Sequence, residues 1–304
     1  MTKVLVLNHP QYECGVQQFG KRVFELCSNS TNIEYIYREL TTYDEYGKIL
    51  GYFKPEHILY NWHQATMSWL KEEIVKSLTE YKHYFIFHDG IRYNYDKFLF
   101  FGDYDIDNKL FPKDKTVLLP RPLLNYNGEY PTNNTIIIGS FGFAFWQKGL
   151  DKLVEVVNRT FDKAIINIHA SHSHFGDHGD TQSKAVIKKC MELNTNPNVT
   201  LNITRDFKSD TDVLKFLAGN DINVFMYTEN GNGISSAVDY ALSVKRPIAV
   251  TRCNMFRHIL KDKIVLSETN TIQNILSRGT EPLNEFYTRW STQNFIKEMD
   301  EIFK

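Results

Sequence analysis

The sequence predicts an α/β protein made of two successive Rossmann-like domains, each a parallel sheet covered by helices. Three observations carry that expectation. Short apolar runs alternate with segments of helical spacing along most of the 304 residues. The alternation restarts with a clean apolar run at residues 135–138, after a stretch at 126–134 rich in Asn, Gly, Pro and Thr. Between residues 221 and 250 an apolar run breaks into a loop holding Gly231 and Gly233, continues as a helical stretch, and ends in a second apolar run after Pro247. Glycines in such a loop let backbone amides approach a ligand, and the helix that follows turns its unpaired N–H groups toward the same point. Anions, above all phosphates, favour that place.

Residues 3–8 read as a buried strand, 10–15 as a loop, and 16–27 as a helix, because Val16, Phe19, Val23, Phe24 and Leu26 recur at helical spacing. Strands follow at 33–37 and 57–62, a helix at 66–77, and a strand at 84–87 that runs into His88, Asp89 and Gly90. Ligands of parallel sheets bind at the carboxyl ends of strands, which places His88 and the loop after Asn8 on one edge. Residues 92–125 read as irregular, with Pro120 and Pro122 resisting helix formation. The division is therefore 1–125, a linker at 126–134, a second domain at 135–282 and a helical segment at 283–304. Within the second domain strands are expected at 135–138, 164–168, 199–203, 222–227, 248–250 and 263–266. Helices are expected at 150–159, 184–193, 210–218, from 237 onward, 255–260 and 271–276. Residues 283–303 read as one long amphipathic helix carrying Trp290.

Composition narrows the function classes. Hydrophobic residues make up 42% and aromatics 14%, enough for full cores rather than a disordered tail. The 35 basic residues nearly cancel the 36 acidic ones, so no global field favours nucleic acid or an acidic membrane. Cys14, Cys27, Cys190 and Cys253 are scattered without a C-x-x-C pair, as expected of free thiols in a reducing compartment. The N-terminus lacks the pattern of a signal peptide, and no stretch approaches the ~20 apolar residues of a membrane span. A cytoplasmic location without a transmembrane segment is expected.

The runs Ile138-Gly139-Ser140-Phe141-Gly142-Phe143-Ala144, Gln147-Lys148-Gly149, Tyr227-Thr228-Glu229 with the glycine loop, and Lys245-Arg246-Pro247 resemble the C-terminal nucleotide-sugar domain of GT-B glycosyltransferases, most of all the retaining family 4, or group 1. The likeness is clearest over 135–265; in the first half, Cys14-Gly15-Val16 resembles that family's glycine-rich acceptor loop and His88-Asp89 its histidine motif. It implies two Rossmann-like domains facing a cleft, a C-terminal helix packing back toward the first, and transfer of a sugar from a nucleoside diphosphate to an acceptor hydroxyl with retention. No cofactor or metal is implied beyond the nucleotide-sugar donor substrate; the acceptor is a glycan, a lipid-linked sugar, a protein or a modified nucleobase.

The resemblance assigns Lys148 to the donor pyrophosphate, and implies His88 and Glu229 as further catalytic groups. The donor side then comprises Ser140, Phe141, Gly142, Lys148, Arg205, Glu229, Gly231, Asn232, Gly233, Ile234, Ser235 and Asp239, and the acceptor side His9, Gly15 and Val16. Two departures stand out. The family places an arginine several residues before the lysine, whereas residues 139–145 contain none, which turns attention to Arg205 and Arg257. Counting back from Pro247, the family's acidic pair falls on Asn232 and Tyr240, so Glu229 and Asp239 are the carboxylates that would contact sugar and ribose hydroxyls. Asp239 also fits a helix-surface carboxylate, and His88 a turn histidine.

Two other classes fit parts of the sequence. A GT-B module that binds a nucleotide sugar without transferring it accords with both departures. His172, His174, Asp177 and His178 approximate the zinc motif of hydrolases, but Gly176 shifts the second pair out of register.

Overall fold

Residues Thr2–Asn8 form β1, in which Val4, Leu5, Val6 and Leu7 are all buried. Burial on both faces is what a parallel strand under two helical layers requires. The computed structural model describes residues 1–88, 95–102, 104, 106, 110–173, 176–229, 231 and 233–304. They divide into one unit of Met1–Pro122 with Arg289–Lys304 and another of Leu123–Thr288.

In the first unit β1 is followed by α1 (Gly15–Cys27), β2 (Ile33–Glu39), α2 (Tyr43–Phe53), β3 (His57–Tyr60), α3 (Glu72–Ser77), β4 (Lys82–Ile86), β5 (Lys97–Phe101) and β6 (Thr116–Leu119). The strands form one parallel sheet in the order β2-β1-β3-β4-β5-β6. Val4 and Val6 pack with Phe19 and Val23 of α1 on one face, while Leu5 and Leu7 pack with Tyr46, Leu50 and Trp62 on the other. α2 has no counterpart in the sequence reading, although Thr42 and Glu45 form a reciprocal capping box at its start. Its Tyr46 is tied to the sheet by a buried relay, Tyr46 Oη to Tyr60 Oη at 2.6 Å and Tyr60 Oη to His83 Nδ1 at 2.9 Å. The helix expected over 66–77 is confined to Glu72–Ser77, because the preceding residues turn so that Trp62 Nε1 donates to Met67 O at 3.1 Å. β5 and β6 arise inside the stretch read as irregular; Pro112 and Pro120 bound β6 rather than interrupt it.

The second unit contains β7 (Ile137–Phe143), α4 (Leu150–Thr160), β8 (Ala164–Ser171), α5 (Thr181–Leu193), β9 (Val199–Thr204), α6 (Asp210–Ala218), β10 (Ile222–Phe225), α7 (Ser236–Ser243), β11 (Ile248–Val250) and α8 (Ile272–Ser277). Its parallel sheet has the order β11-β10-β7-β8-β9. The strand expected at 263–266 is instead a 3-10 turn, Asp262–Ile264, with a single bridge from Val250 to Val265. Residues 254–256 are likewise 3-10 rather than α-helical.

The long terminal helix is broken. α9 (Asn284–Arg289) stops before Trp290, and Ser291 Oγ then caps α10 (Thr292–Ile302) by accepting from Asn294 N. α10 packs on the first unit, as the GT-B resemblance implies, with Phe295, Met299 and Phe303 in the same apolar cluster as Val4, Val6 and Leu119. Its Asp300 carboxylate, 2% exposed, accepts from Ser30 Oγ at 2.7 Å, Asn32 Nδ2 at 3.1 Å and Tyr35 Oη at 3.2 Å. The four cysteines are buried free thiols. Among the described residues, no helix is long and apolar enough to cross a membrane.

Replacing Asp300 by Ala leaves those donors facing a cavity, and we expect a stability loss of about 3 kcal/mol. A urea titration of wild type and Asp300→Ala measures it; an unchanged midpoint would show that α10 is held by its apolar face alone.

Candidate functional site

The carboxyl edge of the second sheet brings together the ends of β7 and β10 and the start of α7. After β7 the chain makes a 3-10 turn, Trp146–Lys148, and enters α4 through Gly149 at φ +61°. A Cβ at Gly149 would collide with the Met226 carbonyl oxygen, so only glycine permits this approach. Thr228 N donates to Gln147 O at 3.0 Å, fastening the loop after β10 to the turn that carries Lys148. As a result Lys148 Nζ stands 4.0 Å above the centroid of Tyr227, a cation–π contact. Tyr227 Oη is 2.9 Å from Ser235 Oγ and lies 3.9 Å from where a Cβ on Gly142 would be. Ser235 immediately precedes α7 and turns its hydroxyl to Tyr227 rather than capping the helix. Lys148, Gly142, Ser235 and the amino end of α7 are thus organised around one tyrosine, itself buried and held by Thr251 Oγ1 donating to its carbonyl at 2.7 Å. A cation, a glycine backbone and a helix start suit a polyanion.

The remaining expected donor residues are dispersed around this cluster. Gly231, Gly233 and Ile234 are half-buried in the loop before Ser235, and Glu229 is exposed at its start. Asn232 lies outside the described residues, as do Asp89 and His174. Ser140 is buried within β7, paired in register with Ile168. Phe141 stacks on His169 with ring centroids 5.9 Å apart and meets Tyr240 edge-on at 5.6 Å. Tyr240 Oη donates to Asp210 Oδ1 at 2.7 Å. Asp239 is on neither the loop nor the helix surface: it is wholly buried, with His258 Nε2 3.6 Å from its Oδ1. Arg205 pairs with Asp180. Arg257, by contrast, reaches the glycine loop, its Nη1 donating to Gly233 O at 3.2 Å.

His172, Asp177 and Asp180 offer ligand atoms within 4.8 Å of one another. These groups are already engaged. Asp177 Oδ1 accepts from Gln182 N at 2.7 Å and its Oδ2 from Ser183 N at 2.9 Å, which caps the start of α5, while Asp180 holds Arg205. A metal would have to displace that capping and pairing.

In the first unit a second cluster forms at the carboxyl ends of β1, β3 and β4. Asn61, after β3, donates through Nδ2 to Asn8 Oδ1 at 2.7 Å and Val16 O at 2.8 Å, and its Oδ1 lies 2.6 Å from His88 Nε2. Because both amide hydrogens are spent, this network assigns the proton to His88 Nε2 and leaves Nδ1 as an acceptor. Asn8 Oδ1 also accepts from His9 N at 2.9 Å, and His9 Nδ1 accepts from Gln11 N at 3.3 Å. Burial lowers the His9 pKa to about 4, against the opposing charge of Glu39, and lowers His88 to about 3, helped by His63, Arg121 and His9. Both imidazoles are therefore neutral at pH 7. Gly15 begins α1 with open space where a Cβ would point. His9, Val16 and His88 are thus joined through Asn8 and Asn61, two residues that sequence reasoning missed. Tyr227 was missed as well; its position at a strand end, two before Glu229, was the available signal.

Two Rossmann-like units with these parallel sheets and a terminal helix returned to the first define the GT-B fold. The chain is similar over 99% of its length, and 99% of that chain, to HepE of Anabaena in complex with UDP-glucose, with a TM-score of 0.68 at 10% identity. It is similar to a glycosyltransferase of Rickettsia africae (TM-score 0.62, 12% identity, 99% and 93% of the two chains). The lipopolysaccharide outer core galactosyltransferase WaaB in its apo form matches at TM-score 0.65 and 10% identity, over 99% and 98%. At such identities the likeness shows the fold alone. No protein-family model and no curated protein sequence matches this chain.

Gly149→Ala forces a side chain into left-handed backbone and against the Met226 carbonyl. We expect a loss of at least about 1–2 kcal/mol in urea unfolding. His169, wholly buried between Thr204 Oγ1 and Ser171 Oγ, has its pKa lowered to about 4 by burial and by Lys208. The unfolded chain then binds the extra proton first, so this contribution is intact above about pH 6.5 and is lost as pH falls toward 4. The urea midpoint of His169→Gln should fall less steeply than that of wild type across that window; parallel curves would contradict the assignment.

Proposed function

We propose that the protein is a glycosyltransferase of the retaining family 4 type, transferring a sugar from a nucleoside diphosphate to an acceptor hydroxyl without a further cofactor. The observation that carries this reading is the Lys148–Tyr227–Ser235 cluster at a sheet edge and helix start, in a chain that matches HepE bound to UDP-glucose from end to end. In the reaction the bond from the anomeric carbon to a diphosphate oxygen breaks as a bond to the acceptor oxygen forms, and the acceptor's hydroxyl proton passes to the departing diphosphate. Negative charge grows on the diphosphate, where Lys148 and the loop amides before α7 oppose it. Glu229, exposed at the start of the loop, accepts hydrogen bonds from donor hydroxyls. Phe141, Gly142 and Ser140 belong to the same donor side. His9, Gly15 and Val16 form the acceptor side in the first unit, and neutral His88 offers Nδ1 to a ligand hydroxyl. The acceptor is a glycan, lipid-linked sugar, protein or modified nucleobase, and the reaction is cytoplasmic.

The burial of Asp239 and the engagement of Tyr240 by Asp210 favour one second reading, a module that binds nucleotide sugar without transferring it. Release of nucleoside diphosphate separates the two: the enzyme releases it with acceptor or slowly with water, the module never does. Lys148→Ala should lower that release about a hundredfold or more while the circular dichroism spectrum stays that of wild type. Undiminished release from the variant would remove Lys148 from the chemistry.

A further inference from the structure

In the first unit, the backbone of α1 sets the direction of the Asn61 amide, and Asn61 passes that direction to His88. Val16 O and Gln17 O, in the first turn of α1, can only accept hydrogen bonds. Asn61 Nδ2 donates to Val16 O at 2.8 Å and Asn8 Nδ2 to Gln17 O at 2.9 Å, so turning either amide end for end would set oxygen against oxygen. Asn8 Oδ1 accepts from Asn61 Nδ2 at 2.7 Å and from His9 N at 2.9 Å, and Asn8 Nδ2 also donates to Tyr37 Oη at 2.9 Å. The Asn61 oxygen then lies 2.6 Å from His88 Nε2. That nitrogen has to donate.

Packing holds the pair in place. Asn61 is wholly buried, and Phe19 of α1 meets the His88 ring edge-on with centroids 5.4 Å apart. The partner at Nε2 is a neutral amide oxygen, whereas a carboxylate there would stabilise the imidazolium form. Burial lowers the His88 pKa to about 3, and the charged and titratable groups acting on it, His63, Arg121 and His9, each oppose a further positive charge. An imidazole of that kind accepts a hydrogen bond at neutral pH but is a poor proton acceptor.

We propose that Asn61 is the positioning residue of this cluster: its oxygen fixes His88 as the Nε2–H tautomer, so that Nδ1 accepts a hydrogen bond from a ligand hydroxyl and His88 stays out of proton transfer. The tautomer half stands on the geometry alone, and the ligand half rests on the glycosyltransferase reading above. The group that meets Nδ1 is then a hydrogen-bond donor, a hydroxyl rather than an ether oxygen or an anion. Asparagine suits position 61 because it supplies two donors to Val16 and Asn8 and an uncharged acceptor to His88. Aspartate in its place would lose both donors and give His88 a charge to pair with, making the ring a base.

The test is heteronuclear NMR of the histidine rings in the full chain, comparing wild type with Asn61→Asp and Asn61→Ser and using His88→Gln to assign the resonances. In wild type His88 should show a protonated Nε2 and a bare Nδ1, unchanged from about pH 8 down to about pH 5. Asn61→Asp should raise the His88 titration midpoint by about 1–3 pH units, because a carboxylate replaces an amide oxygen at Nε2. Asn61→Ser withdraws that oxygen, and both ring nitrogens should move to shifts averaged over the two tautomers. A wild-type ring protonated at Nδ1 overturns the proposal, as does a folded Asn61→Asp whose His88 stays neutral down to about pH 4. If Asn61→Asp does not fold, Asn61→Ser decides, and ring shifts equal to those of wild type overturn the proposal. Diphosphate release from UDP-glucose over the same pH range, with the GDP, ADP and dTDP sugars alongside, tests the ligand half. Wild type should show no step from His88, whereas Asn61→Asp should gain one at its NMR midpoint; a profile without that step removes His88 from the ligand and overturns this half. A wild type that releases nothing from any of them overturns the glycosyltransferase reading and the ligand half together, while the spectra, which need no ligand, judge the tautomer separately.

Discussion

The approach of Gly149 to the Met226 carbonyl is the constraint on which the second unit's site depends. β7 and β10 are neighbours in the sheet, and their following loops would diverge if the first carried a side chain at that point. With glycine there, Thr228 N reaches Gln147 O and the turn of Lys148 lies on Tyr227. A left-handed backbone, a backbone collision avoided and a cation–π contact are thus three consequences of one missing methyl group. The contact with Tyr227 orders the Lys148 side chain, and in the proposed donor role that lowers the ordering cost of binding.

The first unit uses the same device with different chemistry. A Cβ on Gly20 of α1 would overlap the Asn61 side chain, so the helix can approach the end of β3 only because that residue is glycine. Asn61 then spends both amide hydrogens on Asn8 and Val16 and turns its oxygen to His88. Here the close approach yields a neutral network in place of a cation. Asn8 and Asn61 are both wholly buried, and every polar atom of their amides has a partner, which is the condition under which a buried polar network specifies a unique geometry.

Local pattern made much of this legible. The apolar run of β1, the spacing of α1 and the strand–loop–helix–strand passage around Gly231 are short-range signals, and Lys148, Gly142 and Ser235 meet because β7, β10 and α7 meet. What escaped was long-range or context-bound. Asn61 touches Val16 and His88 across 45 and 27 residues, and Arg257 reaches Gly233 across 24. Asp239 sits beside the loop in sequence, yet helical phase turns it inward to His258 rather than toward a ligand. β5, an aromatic run in a proline-containing stretch, and α2, whose capping box spans only Thr42 to Glu45, were readable signals outweighed by their surroundings. The break before Ser291 illustrates the reverse error, since amphipathic spacing continues through a cap that restarts the helix.

Electrostatics divides the two units. In the first, burial holds His9 and His88 neutral, and the network dictates which nitrogen of each carries the proton. Neutral imidazoles bind hydroxyls as donors and acceptors and gain nothing from an anion. In the second, Lys148 stands over Tyr227, whose hydroxyl meets Ser235 at the start of α7, an arrangement that suits an anion more than an uncharged group. Asn8, His9 and Asn61 are wholly buried beside His88, so the first unit keeps a neutral hydrogen-bonding network where the second presents a cation.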